Sequence, residues 1–224
     1  MKQDILEKGA IVQRDRLHYG LAPRTPAGIV DAAMLRRIAD VAERYAIPQI
    51  KLTSAQRIAL LGFAEEQIDA ILTDLGEEPG ATIGLCVRSV KVCPGTDYCK
   101  RGQQDSVTVG LEVDRRYHGM QLPWKFKMGV SGCVNDCAET CIKDVGLIGT
   151  PKGWHLMVGG NGGGLPRLAH RALEHLPDAE TALAAVGQVV TWFKAQNRKC
   201  RLGKLIDEMG IEAFRQTVLR EFSA

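Results

Sequence analysis

The sequence lacks three features that would each define a broad class of protein. None of its apolar runs approaches the length needed to span a bilayer. The N-terminus, Met1 to Asp4, has no charged segment followed by an apolar one, which predicts no secretory signal and a cytoplasmic location. A net charge of +3 is too small to indicate nucleic-acid binding. We therefore expect neither a membrane span nor a nucleic-acid partner.

The remaining composition is that of a folded protein with one or two domains. Apolar residues make up 45% of the 224 residues and charged residues 25%, which excludes a disordered chain. The first eighty residues favour a small α+β unit. A helix is predicted from Asp31, its cap, to Tyr45, with Leu35 and Ile38 on the buried face. A strand from Ile50 follows; if it continues, Lys51 and Arg57 share one of its faces.

A polar connector, Gly76 to Gly80, divides the sequence into predicted domains 1–78 and 79–224. A helix over 65–75, closed by Gly76, ends the first of these. In the second, strands are predicted over 82–92, 107–113 and 154–158. Helices are predicted after Cys133, over 165–175 and 179–199, and through the last twenty residues. The expected fold class is α+β.

Seven cysteines in a chain without a secretory signal indicate metal or redox chemistry, because the cytosol keeps thiols reduced. Cys93 and Cys99 are separated by five residues, and Cys133 and Cys137 by three. Four thiolates are enough for one 4Fe-4S cluster. Gly132 precedes the predicted helix, which would place Cys133 and Cys137 one turn apart, with the helix N-terminus facing the anionic cluster.

Two other interpretations of the cysteines stay open. A structural zinc site usually has two to four residues between paired ligands, so the first pair fits it poorly. The thiols could also be buried and unligated. Cys141 continues the predicted helical face and is expected to be a packed neighbour, while Cys86 and Cys200 carry no motif.

The two cysteine pairs, in this order, resemble the nitrite and sulfite reductase family. Three flanking segments carry the same resemblance: Leu122-Pro-Trp-Lys125-Phe-Lys127, Val87-Arg88-Ser89-Val90 and Leu52-Thr53-Ser54-Ala55-Gln56-Arg57. The similarity extends over nearly the whole chain. It implies a small ferredoxin-like half domain packed on a larger domain that binds siroheme and a 4Fe-4S cluster.

Full-size members contain two such halves, whereas this chain supplies one, as in the low-molecular-weight assimilatory-type sulfite reductases. The resemblance therefore implies a homodimer, which would restore the missing surface. It also implies that Cys137 bridges the cluster to the siroheme iron, and that sulfite is reduced to sulfide by six electrons. The alternatives are nitrite reduction to ammonia at the same site, or a 4Fe-4S electron-transfer module without siroheme.

Siroheme and its substrate are both anionic, so the site needs cations. Lys125 and Lys127 alternate with Trp124, Phe126 and Met128, which places the two lysines on one face of an extended segment. There they could neutralise a bound oxyanion and donate protons. Without the flanking motif, the same pattern would describe an amphipathic strand with a solvated lysine face.

Two arginines complete the predicted catalytic set. Arg88 could hydrogen-bond to sulfite or to a siroheme carboxylate, or be an exposed strand arginine. In the family an arginine precedes the glutamine of the strand motif, but here Ala55 occupies that position and Arg57 follows Gln56. A shift in register would let Arg57 serve, and Lys51 is the substitute on the same predicted face.

The glycine-rich segment 159–164, with Asn161, Gly162 and Arg167, resembles the family's turn near the macrocycle. Glycine lets the backbone approach a flat cofactor, although a surface loop has the same composition. The segment lacks the strand and acidic partner of a dinucleotide fingerprint, so we expect no bound nicotinamide or flavin. Electrons should then come from a separate donor such as a ferredoxin.

Overall fold

The computed structural model describes residues 2–222. The chain forms two compact units, one ending at Gly84 and the other beginning at Leu85. The first contains an antiparallel sheet in the order β1-β2-β4-β3, together with two helices. Its elements are β1 (Ile11–Val12), β2 (His18–Leu21), α1 (Ala32–Arg44), β3 (Gln49–Leu52), β4 (Ile58–Ala64) and α2 (Ile68–Leu75).

Both predicted helix ends in this unit are confirmed. The side chain of Asp31 accepts a hydrogen bond from the backbone N–H of Met34 at 2.7 Å, which satisfies one free donor of the first turn. Gly76 ends α2 in the left-handed conformation that glycine adopts without a steric penalty. Its N–H donates to Leu72 and Thr73.

The predicted buried face of α1 is only partly right. Ile38 is buried, but Leu35 is exposed, and Met34 and Val41 take the inward positions. The residues 34, 38 and 41 follow the helical repeat as closely as the predicted set does. The contact with the sheet therefore chooses between two faces that the sequence pattern leaves nearly equivalent.

The strand from Ile50 does not continue to Arg57, so the shared face predicted for Lys51 and Arg57 is wrong. The strand ends at Leu52, and the chain reverses: Thr53 donates its N–H to the carbonyl of Arg57 at 2.9 Å. Gln56 takes a positive φ of 58°, which fits a tight turn and not a strand. Leu52 then lies opposite Ile58 in the hairpin.

The second unit contains a five-stranded sheet in the order β5-β6-β7-β8-β9. The first three strands run parallel, and the fourth is antiparallel to both of its neighbours. Its strands are β5 (Val87–Val92), β6 (Phe126–Ser131), β7 (Val145–Thr150), β8 (Gly153–Val158) and β9 (His170–Leu176). Its helices are α3 (Gly95–Tyr98), α4 (Ser106–Tyr117), α5 (Ala179–Lys194), α6 (Leu202–Met209) and α7 (Ile211–Val218). No helix within residues 2–222 is long and apolar enough to cross a membrane.

The strand predicted over 107–113 is wrong, because these residues lie inside α4. Asp105 caps the helix by accepting the N–H groups of Val107 and Thr108. The β-branched residues Val109 and Val113 are one helical turn apart and buried. Burial against the sheet thus outweighs their modest preference for strands.

The helix predicted over 165–175 is also wrong, because β9 pairs with β8 in that region. Ala172, Leu173 and Leu176 are buried on this strand. The strand at 154–158 is confirmed, and so is the helix from Ala179, although it ends at Lys194. Gly210, with φ 83°, separates the two C-terminal helices that the sequence predicted as one region.

The two faces of the parallel strands have different surroundings. On one face, the ring of Phe126 lies 5.2 Å from that of Phe193 in α5, and Val92 packs under Gly110 of α4. The other face carries Gly129 and Gly146 side by side. A side chain at Gly146 would come within 2.4 Å of Thr140, so the chain after β6 lies directly on this second face.

Candidate functional site

The two cysteine pairs begin at the carboxyl ends of neighbouring parallel strands. Cys93 follows β5 directly, and Cys133 comes just after β6. Val92 and Val130 are partners in the register between these strands. The N–H of Gly132 donates a hydrogen bond to Cys93 Sγ at 3.1 Å. The parallel pairing therefore brings the start of both cysteine pairs together.

The first pair is separated by one helical turn. The turn predicted at Pro94 and Gly95 is the short helix α3, and Cys99 donates its N–H to Gly95 at 3.0 Å. Ser106, buried at the start of α4, places its Oγ 3.2 Å from Cys93 Sγ. These contacts fix Cys93 more firmly than Cys99, although both are half-buried.

The helix predicted after Cys133 is absent from this part of the structure. Residues 132–139 form turns, and a short 3-10 turn follows over Thr140–Ile142. Asp136 and Glu139 have φ values of 50° and 57°, in the left-handed region that interrupts a right-handed helix. The prediction that Cys133 and Cys137 share a helical face near a helix N-terminus is therefore wrong.

Asp136 orders the loop between the second cysteine pair and the next strand. Its Oδ1 accepts from Ser131 Oγ at 2.9 Å and from Thr140 N and Oγ1, and its Oδ2 accepts from Cys141 N at 3.0 Å. Burial acts to raise the pKa of Asp136, but the hydrogen bonds from Thr140 and Cys141 outweigh it and lower that pKa. An ionised carboxylate with these donors holds the loop in one shape.

Cys141 lies in this loop, and its surroundings keep it a thiol. Burial raises its pKa to about 11, and the neighbouring Asp136 carboxylate acts in the same direction. Metal ligation by Cys141 would require the loss of this proton. That Cys141 is a packed neighbour and not a further ligand stays a prediction.

The residues at the two loops fit an iron-sulfur cluster in number and chemistry. All seven cysteines are free thiols. Among the residues the structure describes, no three of the side chains of His, Cys, Asp or Glu lie close enough together to hold a single metal ion. A 4Fe-4S cluster takes one thiolate on each of its irons, so its ligands surround an inorganic core without meeting at one point. Backbone N–H groups directed at sulfur, as at Cys93, suit such a core.

Cationic side chains lie on the second face of the parallel strands, opposite the face that packs against α4 and α5. Ser89 pairs with Lys127 and Lys91 with Gly129 in the register, so Ser89, Lys91 and Lys127 lie on the same face. This is the face on which the chain after β6 lies. The structure thus brings Lys127 and the second cysteine loop to one side of the sheet.

The other predicted cations of this unit flank that face. Arg88 lies at an irregularity between Val87 and Ser89, where the register shifts, and it is half-buried. Lys125 precedes β6 and is exposed. The amphipathic pattern predicted here is confirmed for its apolar side, because Phe126 and Met128 are buried.

Sequence reasoning missed an ion-pair cluster in this region. Glu139 accepts hydrogen bonds from Lys91 Nζ at 2.9 Å and from Lys143 Nζ at 3.1 Å, and these lower the pKa of Glu139. Both lysine side chains are nearly buried. One carboxylate between two ammonium groups leaves a net positive charge. The one available signal was a pair of charges, Lys143 and Asp144, directly ahead of a strongly apolar run.

The glycine-rich segment 159–164 lies against the second cysteine loop. A side chain at Gly160 would come within 2.6 Å of the Cys141 carbonyl, and one at Gly162 within 2.8 Å of Ile142. Asn161 Nδ2 donates to the carbonyl of Leu165 at 2.8 Å. The predicted residues Asn161 and Gly162 are therefore brought close to the chain between Cys141 and Lys143.

Arg167 closes this segment through contacts within the protein. Its backbone pairs with that of Asn161. One guanidinium nitrogen donates to the Gly159 carbonyl at 2.6 Å, and the other pairs with Asp207 of α6. The side chain predicted to bind the cofactor thus fastens the glycine-rich segment to α6.

The remaining predicted residues, Arg57 and Lys51, lie in the first unit. Arg57 lines a groove of about 450 Å³. The rest of the lining is largely apolar, with Arg14 and Thr53 among its polar residues. Lys51 lies on β3, an edge strand whose residues are all exposed. The groove gives Arg57 a concave setting that Lys51 lacks.

Two family models match the chain. The model described as "Nitrite/Sulfite reductase ferredoxin-like half domain" matches residues 11–78. The model described as "Nitrite and sulphite reductase 4Fe-4S domain" matches residues 83–224.

The chain resembles one curated protein over nearly the whole length of that protein and another over only a part of it. The chain is 41% identical over 213 residues to the "Sulfite reductase, assimilatory-type" of Nitratidesulfovibrio vulgaris, covering 95% of this chain and 97% of that protein. It is 37% identical to the "Nitrite reductase [NAD(P)H] large subunit" of Klebsiella oxytoca, covering 95% of this chain but only 22% of that protein.

Two solved structures share the fold. The NirA protein of Mycobacterium tuberculosis matches with a TM-score of 0.78 and 24% identity, covering 99% of this chain and 44% of that one. Dissimilatory sulfite reductase I (DsrI) matches with a TM-score of 0.73 and 15% identity, covering 89% of this chain and 68% of that one.

Proposed function

The chain belongs to the nitrite and sulphite reductase family, and we propose on that premise that it reduces sulfite to sulfide with a 4Fe-4S cluster and siroheme. The observation that carries this proposal is that both cysteine pairs begin at the ends of neighbouring parallel strands, and that the loop of the second pair lies on the face that also carries Lys127. The 41% identity to an assimilatory-type sulfite reductase over 97% of its length supports the choice of sulfite.

We assign the cluster ligands to Cys93, Cys99, Cys133 and Cys137, with Cys137 shared with the siroheme iron. Cys137 is the exposed member of the four, and the other three are half-buried, which suits a thiolate that also serves a second group. When bound, the cluster and siroheme supply the electron transfer. The chain's own part is to hold these thiolates in fixed loops.

Lys125, Lys127 and Arg88 are the proposed catalytic cations. Their work is to bind the oxyanion, to balance its charge and to donate protons as its oxygens leave as water. The shared face of Lys127 and Lys91, the half-buried setting of Arg88 and the exposure of Lys125 support an anion-binding side of the sheet.

Arg57 is proposed as an anion-binding residue of the first unit, because it lines a groove and Lys51 does not. Asn161, Gly162 and Arg167 are proposed to form the wall next to the macrocycle. Their position against the chain from Cys141 to Lys143 supports this role, with Arg167 acting through the loop that it fastens.

We further propose domains at 1–78 and 79–224, a ferredoxin-type electron donor, a homodimer and a cytoplasmic location. The division is supported by family matches that end at residue 78 and resume at 83. The 44% coverage of NirA fits a chain that supplies one half of a two-half arrangement. Seven unpaired cysteines suit a reducing compartment.

The test is reduction of sulfite by the anaerobically purified protein with reduced methyl viologen as donor. We expect stoichiometric sulfide and a higher kcat/KM for sulfite than for nitrite. Ammonia from nitrite at the higher kcat/KM would instead favour the second candidate, which the Klebsiella relative suggests. A loaded cluster with neither product would leave an electron-transfer module and contradict the proposal.

A further inference from the structure

Asp144 holds both backbone polar groups of Lys127. Its N–H donates to the Lys127 carbonyl at 2.9 Å, and its Oδ2 accepts the Lys127 N–H at 2.7 Å. Asp144 is fully buried and directly precedes β7. Both backbone polar groups of Lys127 are thus bound by a single residue, which lies just ahead of the neighbouring strand.

The side chain is needed here because the regular ladder has not yet begun. The pairing of β6 with β7 starts at Met128 opposite Val145, one residue after Lys127. The N–H of Lys127 therefore bonds to a carboxylate in place of a backbone carbonyl. The Asp144 carboxylate extends the ladder by one position, to the residue that carries the proposed catalytic ammonium group.

Asp144 is itself held by two distant segments. Arg201, at the start of α6, donates to the same Oδ2 at 2.8 Å, and its side chain is mostly buried. Gly159, the first glycine of the 159–164 segment, donates its N–H to the Asp144 carbonyl at 2.7 Å. One buried residue thus links Lys127, the glycine-rich segment and α6.

Stability alone does not account for this arrangement. Removing two charges from water costs several kcal/mol per ion, and well-packed apolar residues often stabilise a protein equally well. In addition, Asp144 Oδ1 and Arg201 Nε are buried without a hydrogen-bond partner in the part of the chain that the structure describes. A costly buried pair directed at the backbone of Lys127 indicates that orientation is what it provides.

We infer that Asp144, held by Arg201, is a positioning residue for Lys127. This inference rests on the proposed function, because it assigns Asp144 a role only through the lysine that binds the anion. Asp144 has no contact with substrate in this role. It fixes the backbone from which the Lys127 side chain extends.

The test is a double-mutant cycle between Asp144→Ala and Lys127→Ala, with rates expressed per siroheme. In the wild-type background, Asp144→Ala should lower kcat for sulfite on the order of ten- to a hundredfold, since misplacement by about an ångström has that effect. In the Lys127→Ala background, it should have no further effect. The affinity for sulfite, measured from the shift of the siroheme bands, should follow the same pattern.

Asp144→Asn separates positioning from folding. Asparagine keeps an acceptor for the Lys127 N–H but loses the charge that pairs with Arg201, so it should restore most of kcat even if stability falls. Asp114→Ala, which removes another buried aspartate of the same unit, is the matched control and should lower kcat equally in both backgrounds or not at all.

Equal losses from Asp144→Ala in both backgrounds would overturn the inference, as would an Asp144→Asn variant as slow as Asp144→Ala. In either case the wild type would still produce sulfide and Lys127→Ala would still be slow, so the proposed function would stand. A siroheme-loaded wild type that produced no sulfide would overturn both.

Discussion

The two units of the molecule differ sharply in what they bury. Among the described residues, Thr25 is the one buried polar residue of the first unit, whereas nine lie in the second. The nine are Ser89, Ser106, Asp114, Ser131, Thr140, Lys143, Asp144, Thr150 and His155. Burying polar groups costs free energy unless they are hydrogen-bonded. In the second unit, Ser106, Ser131 and Thr140 make such hydrogen bonds within the loops of the proposed site.

The sheets show the same contrast. The first unit is fully antiparallel, so its strand ends alternate and its connections are hairpins or helices. In the second, three parallel strands end at the same edge, where Cys93 and Cys133 follow their strands. Parallel pairing thus places the starts of two cysteine pairs that are distant in the sequence at one edge of the sheet.

Replacing a proposed cluster ligand of the second unit should reduce activity more than any other change. Cys137→Ser should abolish the coupling between cluster and siroheme and with it sulfite reduction, because an alcohol is a far weaker ligand than a thiolate. Cys200→Ser, at a cysteine without a motif, is the control and should keep wild-type iron and sulfide. The check is to measure iron, acid-labile sulfide and the rate of sulfide production on both variants. Equal rates of sulfide production in the two variants would refute the role of Cys137.

Removing a proposed catalytic cation should have the next largest effect. Lys127→Ala should lower kcat on the order of a hundred- to a thousandfold, as expected for the loss of one group that stabilises developing charge. Siroheme and iron content should fall much less. Lys152→Ala, in an exposed turn, should change neither quantity. Unchanged turnover in Lys127→Ala would remove the role assigned to Lys127.

The buried carboxylate of Asp144 should give stability a distinctive pH dependence. Burial raises its pKa from 3.8 to about 6. Between these values the unfolded chain ionises first, so the stability that Asp144 contributes is fully present below pH 4 and is lost as pH rises to 6. The loss is on the order of 3 kcal/mol.

Asp144→Asn should lack this pH-dependent contribution to the free energy of unfolding, because asparagine does not titrate. The difference in unfolding free energy between wild type and variant, measured in urea at several pH values, should therefore move in favour of the variant as pH rises from 4 to 6. A difference that stayed constant over this range would mean that the carboxyl titrates normally.

A smaller effect is expected from the first unit's proposed anion-binding residue. Arg57→Ala should weaken sulfite binding about tenfold, the value of one charge-assisted hydrogen bond. Lys51→Ala should leave it unchanged, since Lys51 lies on an exposed edge strand. If a sulfite titration showed weaker binding by Lys51→Ala than by Arg57→Ala, the role would belong to Lys51.

The smallest effect should come from a residue with a purely structural role. Asp31→Ala removes the cap of α1 and should lower the free energy of unfolding by about 1 kcal/mol. Cofactor content and kcat should stay at wild-type values. A loss of siroheme in this variant would contradict a purely structural role for Asp31.

Local patterns in the sequence predicted the parts of the fold that depend on local chemistry. Asp31 and Gly76 mark helix ends because capping needs only a few neighbouring residues. The apolar run at 154–158 forms its strand as expected. The spacing of the cysteines carried the family resemblance, which the family matches bear out.

The failures arose where distant contacts decide the structure. Val109 and Val113 favour strands locally, but burial places them in α4. The left-handed conformations of Asp136 and Glu139 are incompatible with the helix predicted after Cys133, and no pattern in the sequence marks them. The role inferred for Asp144 depends on the register between two strands, which a single sequence does not specify.

The most direct test of the account is the visible absorption spectrum of the anaerobically purified protein, with iron and acid-labile sulfide determined on the same sample. The account predicts chlorin-type bands together with about five irons and four sulfides per chain, as one 4Fe-4S cluster plus siroheme requires. Iron and sulfide without the chlorin bands would contradict the reductase and leave an electron carrier.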